Sequence, residues 1–206
     1  MIKALIFDFG DVFINLDKQG AMDHALDLFC IDHFEDDMIH INKLYEKGLI
    51  TSDNFIAFYK NKYPKLSESR IISTWNFIIK DFPSYRLDFL KKLSAQHNFN
   101  LLLLSNTNEL HIEYVKETVP FYDDFKTQFD QFYLSHEIHF RKPDTDIFEF
   151  LLSDNNLSAQ ECLFIDDTEE NIITAKTLGF HTWHLDPVNE DVVTLFESCK
   201  RVFNYE

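Results

Sequence analysis

The stretch at residues 2–12, Ile-Lys-Ala-Leu-Ile-Phe-Asp-Phe-Gly-Asp-Val, constrains the chain most. A short run rich in Ile, Leu and Phe that stops at Asp8 and a glycine has the pattern of a buried parallel strand carrying a carboxylate to its C-terminal edge. Open α/β sheets bind ligands just outside such edges, so an acid there is placed for chemistry. Taken alone, Asp8 would serve equally well to open a turn or cap a helix.

Two later apolar runs, residues 99–104 and 162–165, end in the same way, in Ser105-Asn106 and in Asp166-Asp167. Between the first strand and about Pro83 the apolar residues recur at helical spacing instead: Ala25, Leu28 and Phe29, then Phe55, Phe58 and Tyr59, then Ile71, Ile72, Trp75 and Ile78. Thr51-Ser-Asp-Asn reads as a helix start, and Tyr63-Pro64 and Phe82-Pro83 read as stops. Four or so helices are therefore expected, either as an insertion or as simple cover for one sheet face. From Ser84 onward strands and helices alternate, with a helix near Asn108, a short strand at 132–135, a helix at 145–152, and a helix ended by Gly179 before an edge strand at 180–185. Repeated strand-loop-helix units imply a right-handed, doubly wound parallel sheet of the α/β class. The expected division is a core of residues 1–15 and 84–206 with a helical insertion at 16–83.

The 206 residues are 45% hydrophobic and include 22 Phe, enough apolar material for one sizeable core plus a small insertion. The formal charge of -16, with no Lys/Arg cluster, argues against nucleic acid and anionic membranes as partners. A phosphate ester could bind only where the site creates its own positive field. Cys30, Cys162 and Cys199 lack CxxC spacing, and no apolar run approaches the roughly 20 residues of a membrane span. A cytoplasmic protein with free thiols, monomeric or weakly dimeric, is expected.

Three strands thus end in Asp8, Ser105-Asn106 and Asp166-Asp167 at one sheet edge, and Lys142 opens a neighbouring helix. Two carboxylates about 4 Å apart repel by roughly 4 kcal/mol at an effective dielectric near 20, so the group must hold protons or a cation. An all-oxygen cluster facing a phosphate suits Mg²⁺. Ser105 and the amides of the following helix start can bind phosphate oxygens, Lys142 can neutralise another, and Asp8 is the natural in-line nucleophile. The expected partner is a small phosphorylated metabolite.

The combination Phe-Asp-Phe-Gly-Asp-Val, Ser-Asn-Thr-Asn, Arg-Lys-Pro and Phe-Ile-Asp-Asp-Thr-Glu-Glu-Asn resembles, in order and spacing, the four motifs of the haloacid dehalogenase-like (HAD) hydrolase superfamily, and the likeness covers essentially the whole chain. The helical stretch after the first motif is similar to the family's α-helical cap on a Rossmann-like core. The wording is closest to bacterial sugar-1-phosphate phosphatases. The resemblance implies a phosphatase with Asp8 as nucleophile and metal ligand, the Gly10 carbonyl and Asp167 as further Mg²⁺ ligands, and Asp166 and Asn171 orienting groups around the ion. Ser105, the Asn106 amide and Lys142 would bind phosphate.

One departure matters. Most phosphatases of the family carry a second Asp two residues after the nucleophile as general acid/base, and here that position is Gly10. Such a group is typically worth about 10²- to 10⁴-fold. An ester whose leaving oxygen needs little protonation, such as a sugar 1-phosphate, is therefore expected to react better than a simple alkyl phosphate. Asp11 is an alternative acid or else a turn-stabilising carboxylate. Two other readings remain open: a metal-free dehalogenase, disfavoured by the pair Asp166-Asp167, and a phosphate- and metal-binding module without turnover.

Among the histidines, His181 and His184 are expected at an edge, and His111 either on a helix surface or on the rim of the site. Trp75 and the aromatic residues near it are expected to pack the insertion. Asn15, Asp17, Tyr45 and Glu46 are further candidates for choosing substrate.

Overall fold

The computed structural model describes residues 1–96 and 98–203. Five parallel strands, Ala4–Phe7 (β1), Asn100–Ser105 (β2), Gln131–Leu134 (β3), Cys162–Asp166 (β4) and His181–His184 (β5), form one sheet in the order β3-β2-β1-β4-β5. All four residues of β1 are buried, as a strand covered on both faces requires. The chain steps outward from β1 to β2 and β3, then returns past β1 to lay down β4 and β5. At such a reversal, here between β1 and β4, the connections diverge to opposite faces and leave a crevice at the strand ends. This is the doubly wound α/β architecture expected from the sequence.

Between β1 and β2 lie Lys18–Phe29 (α1), Asp36–Glu46 (α2), Ser52–Lys62 (α3), Glu68–Asn76 (α4) and Ser84–Ser94 (α5). Side chains start three of them: Asp17, Thr51 and Ser67 accept from the amides of Gly20, Asn54 and Arg70. The first four helices share an apolar cluster of their own, with Phe29, Met38, Tyr45, Phe55, Tyr59 and Ile71 at its centre. α3 ends just before Tyr63-Pro64. α4 stops at Asn76, well ahead of Phe82-Pro83, because the chain there pairs with the segment leading into α1. Leu16 and Ile79 form an antiparallel bridge, and Asn15 N donates to Asp81 O while Lys80 N donates to Asn15 O, each at 2.9 Å. The two connections to α1–α4 thus run side by side.

The remaining α-helices of the described residues are Glu109–Thr118 (α6), Tyr122–Lys126 (α7), Ser135–Ile138 (α8), Thr145–Asp154 (α9), Glu169–Thr177 (α10), Leu195–Ser198 (α11) and Lys200–Phe203 (α12). Alternate strand residues face opposite ways, as the period of two demands. Leu5, Phe7, Leu103 and Ile165 pack with α5, α6 and α7, whereas Ala4, Ile6, Leu104 and Phe164 pack with α9 and α10. Burying each large side chain contributes about 1.5–3 kcal/mol. Phe9 and Phe13 send their rings into the first cluster, with centroids 5.3 Å and 5.0 Å from Phe125. They anchor the loop after β1, and with it Asp8 and Gly10.

The α1–α4 layer meets the sheet edge closely. Gly48, at φ 63°, sits where an added Cβ would lie 1.9 Å from the His136 carbonyl oxygen, so only glycine fits. Ser135 Oγ donates to the Glu46 carbonyl at 2.6 Å, and Tyr45 Oη accepts from the Leu110 amide at 3.0 Å. No described helix is long and apolar enough to cross a membrane.

Candidate active site

The β1–β4 register brings Asp8 beside Asp166: the Asp8 amide donates to Ile165 O at 2.9 Å. Asp8, Asp166 and Asp167 each offer an oxygen within 4.8 Å of the others. Asp166, fully buried, is saturated by donors: Lys142 Nζ at 2.6 Å, Thr168 N at 2.8 Å, and Asn171 Nδ2 at 3.0 Å from both oxygens. Its carboxylate therefore orients Lys142 and Asn171. Asp8 Oδ1 lies 3.0 Å from Lys142 Nζ, close enough for ion pairing but off the alignment of a hydrogen bond, and it is otherwise buried without a partner.

Lys142 is itself buried, with its main chain clamped by one side chain. Asn106 Oδ1 accepts from Lys142 N at 2.9 Å, and Asn106 Nδ2 donates to Lys142 O at 2.8 Å. The strand β2 thus fixes the lysine that reaches across to β1 and β4. Ser105, buried at the tip of β2, lines the same cavity of about 320 Å³ as Asp8, Gly10, Asn106, Lys142 and Asp167. Asn108 caps α6, its Oδ1 accepting from the His111 amide at 3.0 Å.

Sequence reasoning missed Lys18. Its Nζ lies 2.5 Å from Asp167 Oδ2 and 3.0 Å from Asp11 Oδ2. Nothing in its helical context marked it, because the contact joins elements remote in the chain. Asp11, at φ 55°, also accepts from the Leu16 amide at 2.8 Å, so it shapes the loop and pairs with Lys18. An added Cβ at Gly10 would lie 2.6 Å from Leu16 Cδ1, the end of a flexible side chain that would have to swing aside.

Burial pushes the Asp8 carboxyl up to about 7, with Lys142 opposing and Asp166 and Asp167 adding to the rise. Burial also raises Asp167, against the pull of Lys18. Burial works to lower the Lys142 ammonium, yet Asp166 and Asp8 hold it above its ordinary value. Four carboxylates, those of Asp8, Asp11, Asp166 and Asp167, share two ammonium groups, Lys18 and Lys142, so the cluster is acidic when all are ionised. The donor set is all oxygen, and Asp8 Oδ1 has only Lys142 Nζ beside it. Since Asp166 is saturated, Asp8 and Asp167 are the carboxylates that fit a hard divalent cation.

His111 is a correction to its surface expectation. It is partly buried between α6 and α4, with Nε2 3.0 Å from Trp75 O and Nδ1 3.2 Å from Asn108 Nδ2. Those partners assign a neutral ring that donates from Nε2 and accepts at Nδ1. Burial holds its pKa down to about 4. Asn15 accepts from Arg86 at 2.8 Å and donates to Asp81, Asp17 caps α1, and Glu46 pairs with Arg141 at 2.5 Å. His181 and His184 are exposed on the edge strand, with His184 Nε2 3.0 Å from Asp167 O.

Residues 2–179 match the haloacid dehalogenase-like hydrolase family. D-ribitol-5-phosphate phosphatase of Bacteroides thetaiotaomicron is 28% identical over 196 residues, covering 89% of this chain and 91% of its own. Glyceraldehyde 3-phosphate phosphatase of Methanocaldococcus jannaschii is 27% identical over 202 residues, covering 88% and 84%. Among solved structures, a HAD family enzyme of Bacteroides thetaiotaomicron in complex with magnesium is 34% identical, with a TM-score of 0.82 over 95% of this chain and 98% of that one.

Proposed function

Because the chain belongs to the haloacid dehalogenase-like hydrolase family, we propose that it is a magnesium-dependent phosphatase that hydrolyses a small phosphomonoester through an aspartyl-phosphate on Asp8. The observation that carries this reading is Asp8 itself: a buried carboxylate held against Lys142 and beside Asp167 at the mouth of the β1–β4 crevice. Phosphatase relatives of nearly equal length, and a related enzyme solved with magnesium, support it.

In this reading Ser105, the Asn106 amide and Lys142 bind the phosphate oxygens, and an Asp8 oxygen attacks phosphorus as the bond to the ester oxygen breaks. Water then attacks the same phosphorus, releasing phosphate and restoring the carboxylate. Mg²⁺ held by Asp8, Asp167 and the Gly10 carbonyl would neutralise charge on the carboxylates and the phosphate. Asp166 and Asn171 act as orienting groups. Residues 16–83 serve as a cap over the core of residues 1–15 and 84–206, excluding bulk water from the reacting atoms. With glycine at position 10, the leaving oxygen has no carboxylic acid from that position. Esters with easily departing oxygens are therefore favoured.

The test is phosphate release from a panel of phosphomonoesters with and without Mg²⁺, together with trapping of the acyl phosphate by hydroxylamine. Asp8→Asn is expected to lose at least about 10³-fold in turnover and to yield no hydroxamate. Full activity of that variant, or turnover indifferent to chelation, sinks the reading.

A further inference from the structure

A second cavity, of about 740 Å³, adjoins the first and shares Lys18, Glu46, Ile78, Asn108, His111 and Arg141 with it. It lies among the helices of the insertion. Its remaining wall includes Met22, Ala25 and Leu26 of α1, Phe34, Ile39 of α2, and Trp75 of α4. Trp75 packs one edge against Phe55, 4.7 Å between centroids, and still lines the cavity.

Several polar groups of this wall are already engaged within the protein. Thr74 Oγ1 lies 3.3 Å from His24 Nε2, Asn42 Oδ1 accepts from Tyr59 Oη at 2.7 Å, and Glu46 is paired with Arg141. His111 holds Trp75 O and Asn108 at its two ring nitrogens. The charged or polar lining residues Asp32, His33 and Lys43 are exposed. The wall also leaves large apolar side chains open to solvent: Met22 is 47% exposed and Ile39 42%. Water gains little against such a surface, whereas a hydrocarbon or aromatic group would bury it.

We propose that the organic half of the substrate is a bulky apolar group, aromatic or hydrocarbon, and not a polyol. The proposal rests on the phosphatase reading above, which supplies the anchor: with phosphate at Asp8 and Lys142, the ester's carbon chain extends past Ile78 into the second cavity. A polyol placed there would surrender hydrogen bonds to water and meet a mostly apolar wall. The size of the cavity suits a group larger than a three-carbon chain.

Two primary alkyl esters of equal intrinsic reactivity test this, 3-phenylpropyl phosphate and ribitol 5-phosphate, each assayed with Mg²⁺. We expect kcat/KM to favour the phenylpropyl ester at least tenfold. Equal rates, or a preference for ribitol 5-phosphate, overturn the proposal. A binding arm separates it from the phosphatase reading. By calorimetry, 3-phenylpropylphosphonate should bind at least tenfold tighter than methylphosphonate, and Ile39→Glu or Met22→Glu, both at exposed positions, should remove most of that margin. If no ester is turned over, the phosphatase reading fails, and this margin still decides the apolar cavity: its presence supports the proposal and equal affinities overturn it.

Discussion

Lys18, the first residue of α1, reaches Asp167 just beyond the tip of β4 at 2.5 Å and so ties the helical layer to the acidic edge of the sheet. Its ammonium is held above its ordinary value because Asp167 and Asp11 outweigh the effect of burial. A cation entering beside Asp167 must compete with it. The side chain is half exposed, which limits the pair to about 0.2–1 kcal/mol. Lys18→Met is therefore expected to bind Mg²⁺ more tightly, by up to about fivefold, in a calorimetric titration. Weaker binding would show that Lys18 assists the ion.

Lys142 is the opposite case, with its side chain wholly buried between two acids. Lys142→Met leaves Asp8 and Asp166 facing one another without their counter-charge, and removal of one member of a buried pair typically costs about 3–5 kcal/mol. Urea unfolding in Mg²⁺-free buffer should register that loss. Adding Asp166→Asn to the same protein should recover part of it, since the neutral amide has no charge to strand. A double variant no more stable than the single one would contradict this account.

Gly10 and Leu16 make a paired prediction. Gly10→Asp alone pushes the flexible end of Leu16 aside. Combined with Leu16→Ala, the new carboxyl has space beside the leaving oxygen. Turnover of glucose 6-phosphate relative to glucose 1-phosphate should then rise at least about tenfold, within the range of general acid catalysis. An unchanged ratio in the double variant argues that a missing acid does not limit this enzyme.

His111 makes stability depend on pH. Its pKa is about 4 in the folded protein against the ordinary value of 6.5, so the unfolded chain takes up a proton that the native ring refuses. Its contribution is intact above pH 6.5, falls as the pH drops from there toward 4, and totals about 3 kcal/mol over that window. His136, also lowered by burial, acts in the same direction. His111→Gln keeps a donor for Trp75 O and removes the titration. Its loss of stability between about pH 7.5 and pH 5 should be smaller than that of the wild type by about 2 kcal/mol.

The strand tips were legible because the signal is local: an apolar run that stops at Asp8, Ser105 or Asp166 declares its edge within a few residues. The contacts between layers were not. Lys18 looks like any solvated helix start until β4 arrives beside it, and Leu16 gives no hint that it covers Gly10. His111 follows the surface periodicity of α6, and only the placement of Trp75 over it reveals a covered position. The packing role expected for Trp75 is real, yet the same ring lines the second cavity. Asn106 was read through its backbone amide, whereas its side chain is the clamp on Lys142. In each case the deciding partner lies far along the chain.

The central position of β1 has a consequence for biosynthesis. Asp8 is translated before the Lys142 that offsets it and before the strand that carries Asp166. Until then the first strand can pair only with β2, and its terminal carboxylate remains wet and uncompensated. The charge cluster at the sheet edge is therefore complete only once β4 has joined β1.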